Sequence, residues 1–405
     1  MPADSSPPGF RSLSDRRFMY YLSLVGFFAI FSTTISKNPV LPLFSQALGA
    51  GDAVIGMIAA VSPLAGILFS FPVGVISDHI GRRRLLVLSG LVFLFAPLLY
   101  LFITTAVWLI PVRFFHGTAT AILGPVISAA IAERFPSKKG EMLGQYSSAT
   151  LIGRTLAPLA GGWILSYFVL FSGLIQYQMV YLTAALAAVP VCVLVLWYPK
   201  DPVKTLDIPG FPVFYASMRT FFFSSRLRAT AMIEMATYFA FGTFETFLPL
   251  FLFGKGIGAG GIGIIFAVQV LIIAATKPVF GRLADRIDKR LQILCGILVL
   301  GCAVAAIPAG QTFYEFLVIS TVLGCGMALS TVATSAYVAD LARRGNVGAS
   351  MGALSAMMDI GHAAGPLSSG IIIMQCGYLV GFGASLFFAL ASAVCFTVSV
   401  RSAGE

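Results

Sequence analysis

Long apolar segments separated by short polar turns make up almost all of this 405-residue chain. A segment of about 20 apolar residues is long enough to span a lipid bilayer as an α-helix. The pattern therefore predicts twelve membrane-spanning helices, numbered 1 to 12, with one long polar interruption after the sixth. The predicted helices cover residues 18–46, 53–77, 85–104, 107–132, 141–167, 176–198, 229–253, 261–284, 291–309, 313–341, 346–374 and 377–400.

The polar interruption divides the chain into two sets of six helices. Pro199, Pro202 and Pro209 prevent a continuous helix there. We predict a first six-helix bundle at 1–198, a cytoplasmic linker at 199–228 and a second bundle at 229–405. Residues 213–228 mix aromatic side chains with arginine, so a short interfacial helix is an alternative for that part of the linker.

Composition supports a membrane location. The chain is 58% hydrophobic and 10% charged, whereas a soluble protein carries about 25% charged residues. The net charge of +10 comes from short basic clusters between apolar segments, without a long basic face. This distribution favours an integral membrane protein over a nucleic-acid-binding protein.

The basic residues also predict the orientation in the membrane. On the twelve-helix reading, 21 of the 26 lysines and arginines fall on one side, and Lys255 alone lies in the opposite loops. The positive-inside rule then places both termini in the cytoplasm. The polar first 16 residues lack the apolar core of a signal peptide, so we expect helix 1 to direct insertion. The short termini favour a bacterial inner membrane.

The sequence gives no sign of enzyme chemistry. The six cysteines lie in apolar segments and form no Cys-x-x-Cys pair, so we expect neither disulfides nor a metal site. We find no nucleophile–base set and no phosphate-binding loop. We therefore expect neither catalysis nor a cofactor.

The chain contains an internal repeat. Gly74, Asp78 and the arginines that follow them recur 207 residues later at Gly281 and Asp285. Other pairs keep this offset, or an offset of 208 after a one-residue insertion: Leu41–Phe44 with Leu248–Phe251, Gly117 with Gly324, Gly144 with Gly352, Gly153 with Gly361 and Pro158 with Pro366. Parallel six-helix repeats of this kind build transporters with a site near the membrane midplane.

The repeated loop resembles motif A of the major facilitator superfamily, Gly74-x-x-x-Asp78-x-x-Gly81-Arg82-Arg83, with the second copy starting at Gly281. This resemblance implies an all-α fold of twelve transmembrane helices in two pseudo-symmetric bundles. It also implies a gating cluster of Asp78, Arg82 or Arg83, and Glu133 at the cytoplasmic ends of the helices. The expected counterpart in the second half is Asp285, Arg286 or Arg290, and Asp340.

Two further motifs resemble those of proton-linked drug exporters in this superfamily. Helix 5 resembles the antiporter motif C, with alanine where the family usually has glycine; its residues are Gly144, Gly153, Ala157, Pro158, Gly161 and Gly162. Small residues allow close helix packing, and proline bends a helix. In helix 4, Arg113 resembles the motif B arginine, which the family links to proton transfer. A structural arginine paired with carbonyls is the alternative.

Charged residues at membrane depth are candidates for binding substrate and protons. They are Lys37 and Asn38 in helix 1, Arg113 in helix 4, Arg154 in helix 5, Glu234 and Glu245 in helix 7, and Asp359 and His362 in helix 11. Glu245 is the repeat mate of Asn38, so we predict a Lys37–Glu245 pair and consider Glu245 a proton carrier. An Asp359–His362 pair is the second candidate, and purely structural pairs are the alternative for both.

These observations predict a monomeric alternating-access transporter that contacts the lipid bilayer and exports a small organic or amphipathic molecule, driven by the proton gradient. The interior cations are about as numerous as the acids, so an anionic or zwitterionic substrate is as compatible as a lipophilic cation. The alternatives are an importer or uniporter of an organic anion or sugar-like solute, a lipid flippase, and a non-transporting receptor.

Overall fold

The computed structural model describes residues 15–171, 173–198, 224–341 and 347–401. Helix 1 consists of two pieces, Asp15–Ile35 and Val40–Ala47, followed by helices 2 (Asp52–Ile80), 3 (Arg82–Leu99), 4 (Leu109–Arg134), 5 (Lys139–Tyr167) and 6 (Ile175–Leu196). Helices 7 (Ser225–Gly254), 8 (Ala259–Ala284), 9 (Lys289–Ala306) and 10 (Phe313–Leu341) follow. The last helical stretch, Val347–Arg401, bends at Gly377 and forms helices 11 and 12.

The twelve predicted transmembrane helices are confirmed within the described ranges. Ten helical stretches are long and apolar enough to cross a membrane, and one of them, Ser350–Val400, contains both helix 11 and helix 12. Helix 5 is not among the ten. It carries Arg154, several glycines and several hydroxyl side chains, which make it less apolar than its neighbours. The chain is thus a multi-pass membrane protein.

Two helix boundaries differ from the predicted ones in a way that matters for the site. Helix 1 is interrupted by turns at residues 36–39, because Pro39 has no N–H to continue the helical hydrogen bonds. Helix 7 begins at Ser225, where Ser224 caps it by accepting a bond from the backbone N–H of Leu227. The predicted linker therefore ends before Ser225, and its residues 199–223 lie outside the described part of the chain.

The loops define two sides of the molecule. We call the side with loops 2–3, 4–5 and 8–9 the basic side, because it carries Arg82, Arg134 and Lys289. The other side, with loops 1–2, 5–6 and 7–8, is the opposite side. One apolar core cluster continues from helices 1–6 into helices 7–12, and its members in the first six helices, such as Ile58, Leu165 and Tyr177, lie near the opposite side.

Toward the basic side the core is divided. One cluster there, around Phe18 and Ile131, draws only on helices 1–6, and a small one around Leu227 and Val338 draws only on helices 7, 10 and 11. The two sets of helices therefore pack together near the opposite side and separate toward the basic side.

Small residues make the close contacts between the two sets. A Cβ on Gly162 of helix 5 would lie 2.5 Å from the carbonyl oxygen of Ala259 in helix 8. Gly370 of helix 11 approaches Asp52 of helix 2 in the same way, with a distance of 2.6 Å to the carbonyl oxygen. Glycine is needed at these points because any side chain would collide with the facing backbone. The two seams, helix 5 with helix 8 and helix 2 with helix 11, close the opposite side.

Candidate functional site

Glu245 lies at the centre of a polar cluster where helices 1, 7 and 11 meet. Its Oε2 is 2.6 Å from Nζ of Lys37 and 2.8 Å from Nε2 of His362. Its Oε1 accepts a hydrogen bond of 2.8 Å from Nδ2 of Asn38. Lys37 and His362 also approach each other, with 3.2 Å between their nitrogens. Both carboxylate oxygens are thus engaged, and the cluster joins the first set of helices to the second.

The break in helix 1 places two of these side chains. Lys37 and Asn38 lie in the turns between the two pieces of the helix, so both reach Glu245 although they are adjacent in sequence. In a regular helix, adjacent side chains point about 100° apart. Discontinuous helices commonly carry the binding sites of transporters. The predicted Lys37–Glu245 contact is present, and its part in proton transfer is taken up below.

His362 and Asp359 do not form the pair that their spacing suggested. His362 turns toward Glu245 and Lys37, whereas Asp359 faces helix 2 beside Gly66, where a Cβ would lie 3.4 Å from its Oδ2. The structure gives no hydrogen bond between them among the described residues. Residues three apart on a helix are neighbours, but here each side chain is drawn to a different adjacent helix.

Arg154 and Lys277 are exposed although both lie well inside their helices. Arg154 is one turn from Pro158 and two turns from Gly162, which pack on helix 8, so it lies on the same face of helix 5. It is close enough to act electrostatically on Lys37, His362 and Lys277. The two cations therefore line the gap that opens between helices 5 and 8 toward the basic side.

Glu234, the second carboxylate of helix 7, is only 5% exposed. Its Oε2 accepts a hydrogen bond of 2.6 Å from the hydroxyl of Thr334 in helix 10. Lys277 is near enough to influence it electrostatically. Glu234 is thus held between helices 7 and 10, inside the second set of helices, and does not line the gap itself.

Tyr238 lies between the two acids of helix 7 along the chain and was not among the candidates predicted from the sequence. It lies half-buried within electrostatic reach of Glu234, Glu245, Arg154 and Asp359. Positions 234, 238 and 245 fall on one face of a helix, so their helical spacing is the signal by which Tyr238 could have been found. Thr334 had no comparable signal, since a threonine in an apolar helix commonly bonds its own backbone.

Arg113 is buried inside the first set of helices, with 2% of its surface exposed. Its charge acts on Tyr100, Tyr181 and His116, and the Tyr100 and Tyr181 rings stack 4.1 Å apart. Within the described ranges, Nε of Arg113, the Tyr181 hydroxyl and both nitrogens of His116 have no hydrogen-bond partner. At Nε, the carbonyl pairing expected of a purely structural arginine is therefore absent.

The first copy of motif A is partly visible. Arg82 forms an ion pair with Glu133 at the end of helix 4, as the motif predicts. Arg83 instead donates a bond of 2.8 Å to the carbonyl oxygen of Leu196 in helix 6, and Gly81 ends helix 2 with a φ of 92°. The surroundings of Gly74 and the side chain of Asp78 lie outside the described part of the structure, so the Asp78 contacts stay a prediction.

The second copy differs from the predicted cluster. Asp340 pairs with Lys289, at 2.9 Å, and not with Arg286 or Arg290. Asp288 caps helix 9 by accepting from the backbone N–H of Arg290. The helix therefore starts at Lys289, and its first turn points this lysine at the end of helix 10. Asp285 and Arg286 are exposed turn residues beyond Gly281.

The small residues of motif C do not all pack in this conformation. Gly153 packs on helix 1, where a Cβ would lie 2.6 Å from the carbonyl oxygen of Phe27. Gly161 packs on Ile35 and Val40 of helix 1, and Gly162 on helix 8, with Ala157 and Pro158 buried between these contacts. Gly144, near the basic end, has nothing within 4 Å of a Cβ, and its repeat mate Gly352 is equally open.

Comparison with known proteins agrees with the fold. The family model described as Major Facilitator Superfamily matches residues 22–261 and 230–404. An uncharacterized MFS-type transporter of Methanocaldococcus jannaschii is 25% identical over 344 residues, 82% of this chain and 86% of the relative. The multi-drug resistance efflux pump PmrA of Streptococcus pneumoniae is 23% identical over 364 residues, 86% of this chain and 87% of the pump.

A solved structure has the same architecture. A bacterial homolog of the human lysosomal transporter Spinster, in an inward-facing and occupied conformation, superposes with a TM-score of 0.76 at 15% identity. The match covers 98% of each chain. At this identity the likeness concerns the fold.

Proposed function

The chain belongs to the major facilitator superfamily, a family of membrane transporters, and from this premise we propose that it exports a small organic molecule in exchange for protons. The observation that carries the proposal is the shared carboxylate of Glu245. It holds a lysine from helix 1 and a histidine from helix 11 at the junction of the two sets of helices.

The chemistry of this cluster links a proton to a conformational change. While Glu245 is ionised, it compensates the charge of Lys37 in a site where an uncompensated charge is costly. A proton on Glu245 removes that compensation and weakens the contacts to Lys37 and His362. Lys37 then needs water or another anion, which favours separation of helix 1 from helices 7 and 11. Proton binding and the arrangement of the two halves are thereby coupled.

Alternating access gives this coupling a direction. The described conformation is closed by the two glycine seams on the opposite side and open on the basic side. We propose that the bundles predicted at 1–198 and 229–405, the latter with helix 7 extended to Ser225, move as units. What is left of the predicted 199–228 linker, residues 199–224, joins them. Both termini and the basic side are then cytoplasmic under the positive-inside rule, so this conformation faces inward.

Motif A supplies a latch for the other conformation. Arg82 and Glu133 are already paired within the first half, and Lys289 and Asp340 within the second. When the basic side closes, these pairs and Asp78 come near the facing half and stabilise the closed state by charge-assisted contacts. The efflux pump PmrA, similar over most of its length, supports export as the direction.

The test uses proteoliposomes with an imposed pH gradient and a lumenal pH indicator. Three probes that share one fluorophore, dansylglycine, dansylamide and dansylcadaverine, are added in turn to the wild type and to Glu245→Gln. We expect one of the probes to trigger a proton flux in the wild type that Glu245→Gln abolishes. Glu141→Gln is the matched control, because Glu141 is an exposed carboxylate in the first turn of helix 5.

The outcomes separate coupling from transport. Probe movement with no proton flux in the wild type would make the chain a uniporter and Glu245 a structural residue. An unchanged proton flux in Glu245→Gln would move the proton site elsewhere.

A further inference from the structure

The charges that border the gap between helices 5 and 8 differ in exposure according to their sign. Arg154 and Lys277 are exposed, whereas Glu234 and Glu245 are 5% and 8% exposed. A molecule that enters from water on the basic side therefore meets the cations first.

The two acids of helix 7 are also occupied. Both oxygens of Glu245 accept bonds from Lys37, His362 and Asn38, and Glu234 accepts from Thr334. Asp359 is the third of the described acids that the sequence placed at membrane depth, and it is half-buried against helix 2. A methyl group on Gly66 would touch its carboxylate at 3.4 Å, which places Asp359 at the seam of helices 2 and 11 and not between helices 5 and 8.

The cations, in contrast, have free donors. The structure gives neither Arg154 nor Lys277 a hydrogen bond or ion pair among the described residues. Lys37, which is part of the Glu245 cluster, and Lys277 both lie within electrostatic reach of Arg154. Lys37 is compensated by Glu245, so Arg154 and Lys277 are the two like charges left at the gap to attract an anion.

We propose that the transported molecule is an organic anion and that Arg154 binds its carboxylate, sulfonate or phosphate group, with Lys277 as a second contact. The guanidinium donates two parallel hydrogen bonds to such a group. Tyr238 borders the same space and offers a ring face and a hydroxyl. The proposal rests on the proposed transport function and adds the charge of the substrate, which differs from the lipophilic cations that many multidrug pumps carry.

The first test measures the charge of the gap without any substrate. Ala274 is half-exposed on helix 8, one turn from Lys277 and on the face that carries Gly263. In a variant without native cysteines, Ala274→Cys is treated with an anionic sulfonatoethyl and a cationic trimethylammonioethyl methanethiosulfonate. We expect the anion to react about tenfold faster than the cation, relative to their rates at a cysteine in an exposed loop. Adding Arg154→Gln should reduce this preference, with Lys277 still in place, whereas Arg84→Gln, at an exposed position in the first turn of helix 3, should leave it unchanged.

The second test measures binding in detergent, where no proton gradient exists. Dansylglycine should bind more tightly than dansylamide or dansylcadaverine, and Arg154→Gln should weaken it about tenfold or more. Arg154→Lys should retain part of the affinity, and Lys255→Gln on the opposite side should change nothing.

Either of two results overturns the proposal: dansylcadaverine binding at least as tightly as dansylglycine, or unchanged dansylglycine binding in Arg154→Gln. Binding of the anion without a proton flux in proteoliposomes would leave this site in place and refute the coupling. A proton flux triggered by the cation alone would support the coupling and refute the anion site.

Discussion

At the scale of single residues, the opposite charges of the Glu245 cluster compensate each other in a buried environment, where an unpaired charge is destabilising. The side chains of Glu245 and Lys37 are 10% and 24% exposed, so each depends on the other more than a surface pair would. Asn38 adds a neutral donor that stays useful whether or not the pair is charged. The cluster is therefore sensitive to the loss of one partner and tolerant of the loss of both.

Lys37→Met tests this balance. It leaves the carboxylate of Glu245 without its lysine, and we expect a loss of at least about 2 kcal/mol in stability, seen as a lower melting temperature of the purified protein in detergent. Lys37→Met/Glu245→Gln removes both charges while the glutamine still bonds Asn38 and His362. This double variant should recover most of the melting temperature but no proton-coupled flux. A single variant as stable as the wild type would contradict the charge balance.

The sequence anticipates some contacts of this cluster better than others. The repeat made Glu245 the mate of Asn38, and helix 1 does face helix 7, so the Lys37–Glu245 contact was predictable from offsets of about 207 residues. His362 was identified as a candidate but assigned to Asp359, its neighbour on helix 11. Which adjacent helix a side chain meets depends on the rotation of the helix in the bundle, and a single sequence contains no measure of it.

At the scale of helices, helix 5 performs two tasks with one row of small residues. Gly153 and Gly161 hold it against helix 1, within the first half, while Gly162 holds it against helix 8 of the second half. Gly144 lies on the same helix, but a Cβ there would have nothing within 4 Å in this conformation. We infer that Gly162 serves the closed opposite side and that Gly144 serves the state in which the basic side closes.

Gly162→Val and Gly144→Val separate these two roles. A valine at 162 would bring a Cβ within 2.5 Å of the Ala259 carbonyl oxygen and should open the opposite side. A cysteine replacing Arg154 should then react several-fold more slowly with a membrane-impermeant maleimide added from the basic side. Gly144→Val should leave that reaction unchanged but reduce transport, because its side chain obstructs the other state. Equal reactivity of both variants would refute the division of roles.

At the scale of the whole molecule, the number of helices and their repeat followed from the spacing of apolar segments, but the gap between the halves did not. Helix 5 is less apolar than the ten other stretches that could cross a membrane, because the features that line a water-filled gap, such as Arg154 and the glycines, lower the hydropathy of a segment. The break in helix 1 at Pro39 was readable in principle. Because apolar residues lie on both sides of Pro39, the sequence pattern predicted one continuous helix over residues 18–46.

A crosslink on the opposite side tests alternating access as a property of the entire chain. The hydroxyl oxygen of Ser166 in helix 5 accepts a hydrogen bond of 2.9 Å from the backbone N–H of Gly260 in helix 8. A Cβ on Gly260 would lie 3.9 Å from the Cβ of Ser166, within the usual range of about 3.5–4.5 Å for disulfides. In a cysteine-free background, Ser166→Cys/Gly260→Cys should therefore form a disulfide under mild oxidation.

This disulfide joins the two halves where they must part for a substrate to leave. Transport should fall to background on oxidation and return with a reducing agent, while either single cysteine variant stays active throughout. Dansylglycine binding from the basic side should persist in the oxidised protein, because the gap beside Arg154 remains open. Full transport by the crosslinked protein would mean that the halves need not separate at this seam, and the rocking motion proposed here would have to be abandoned.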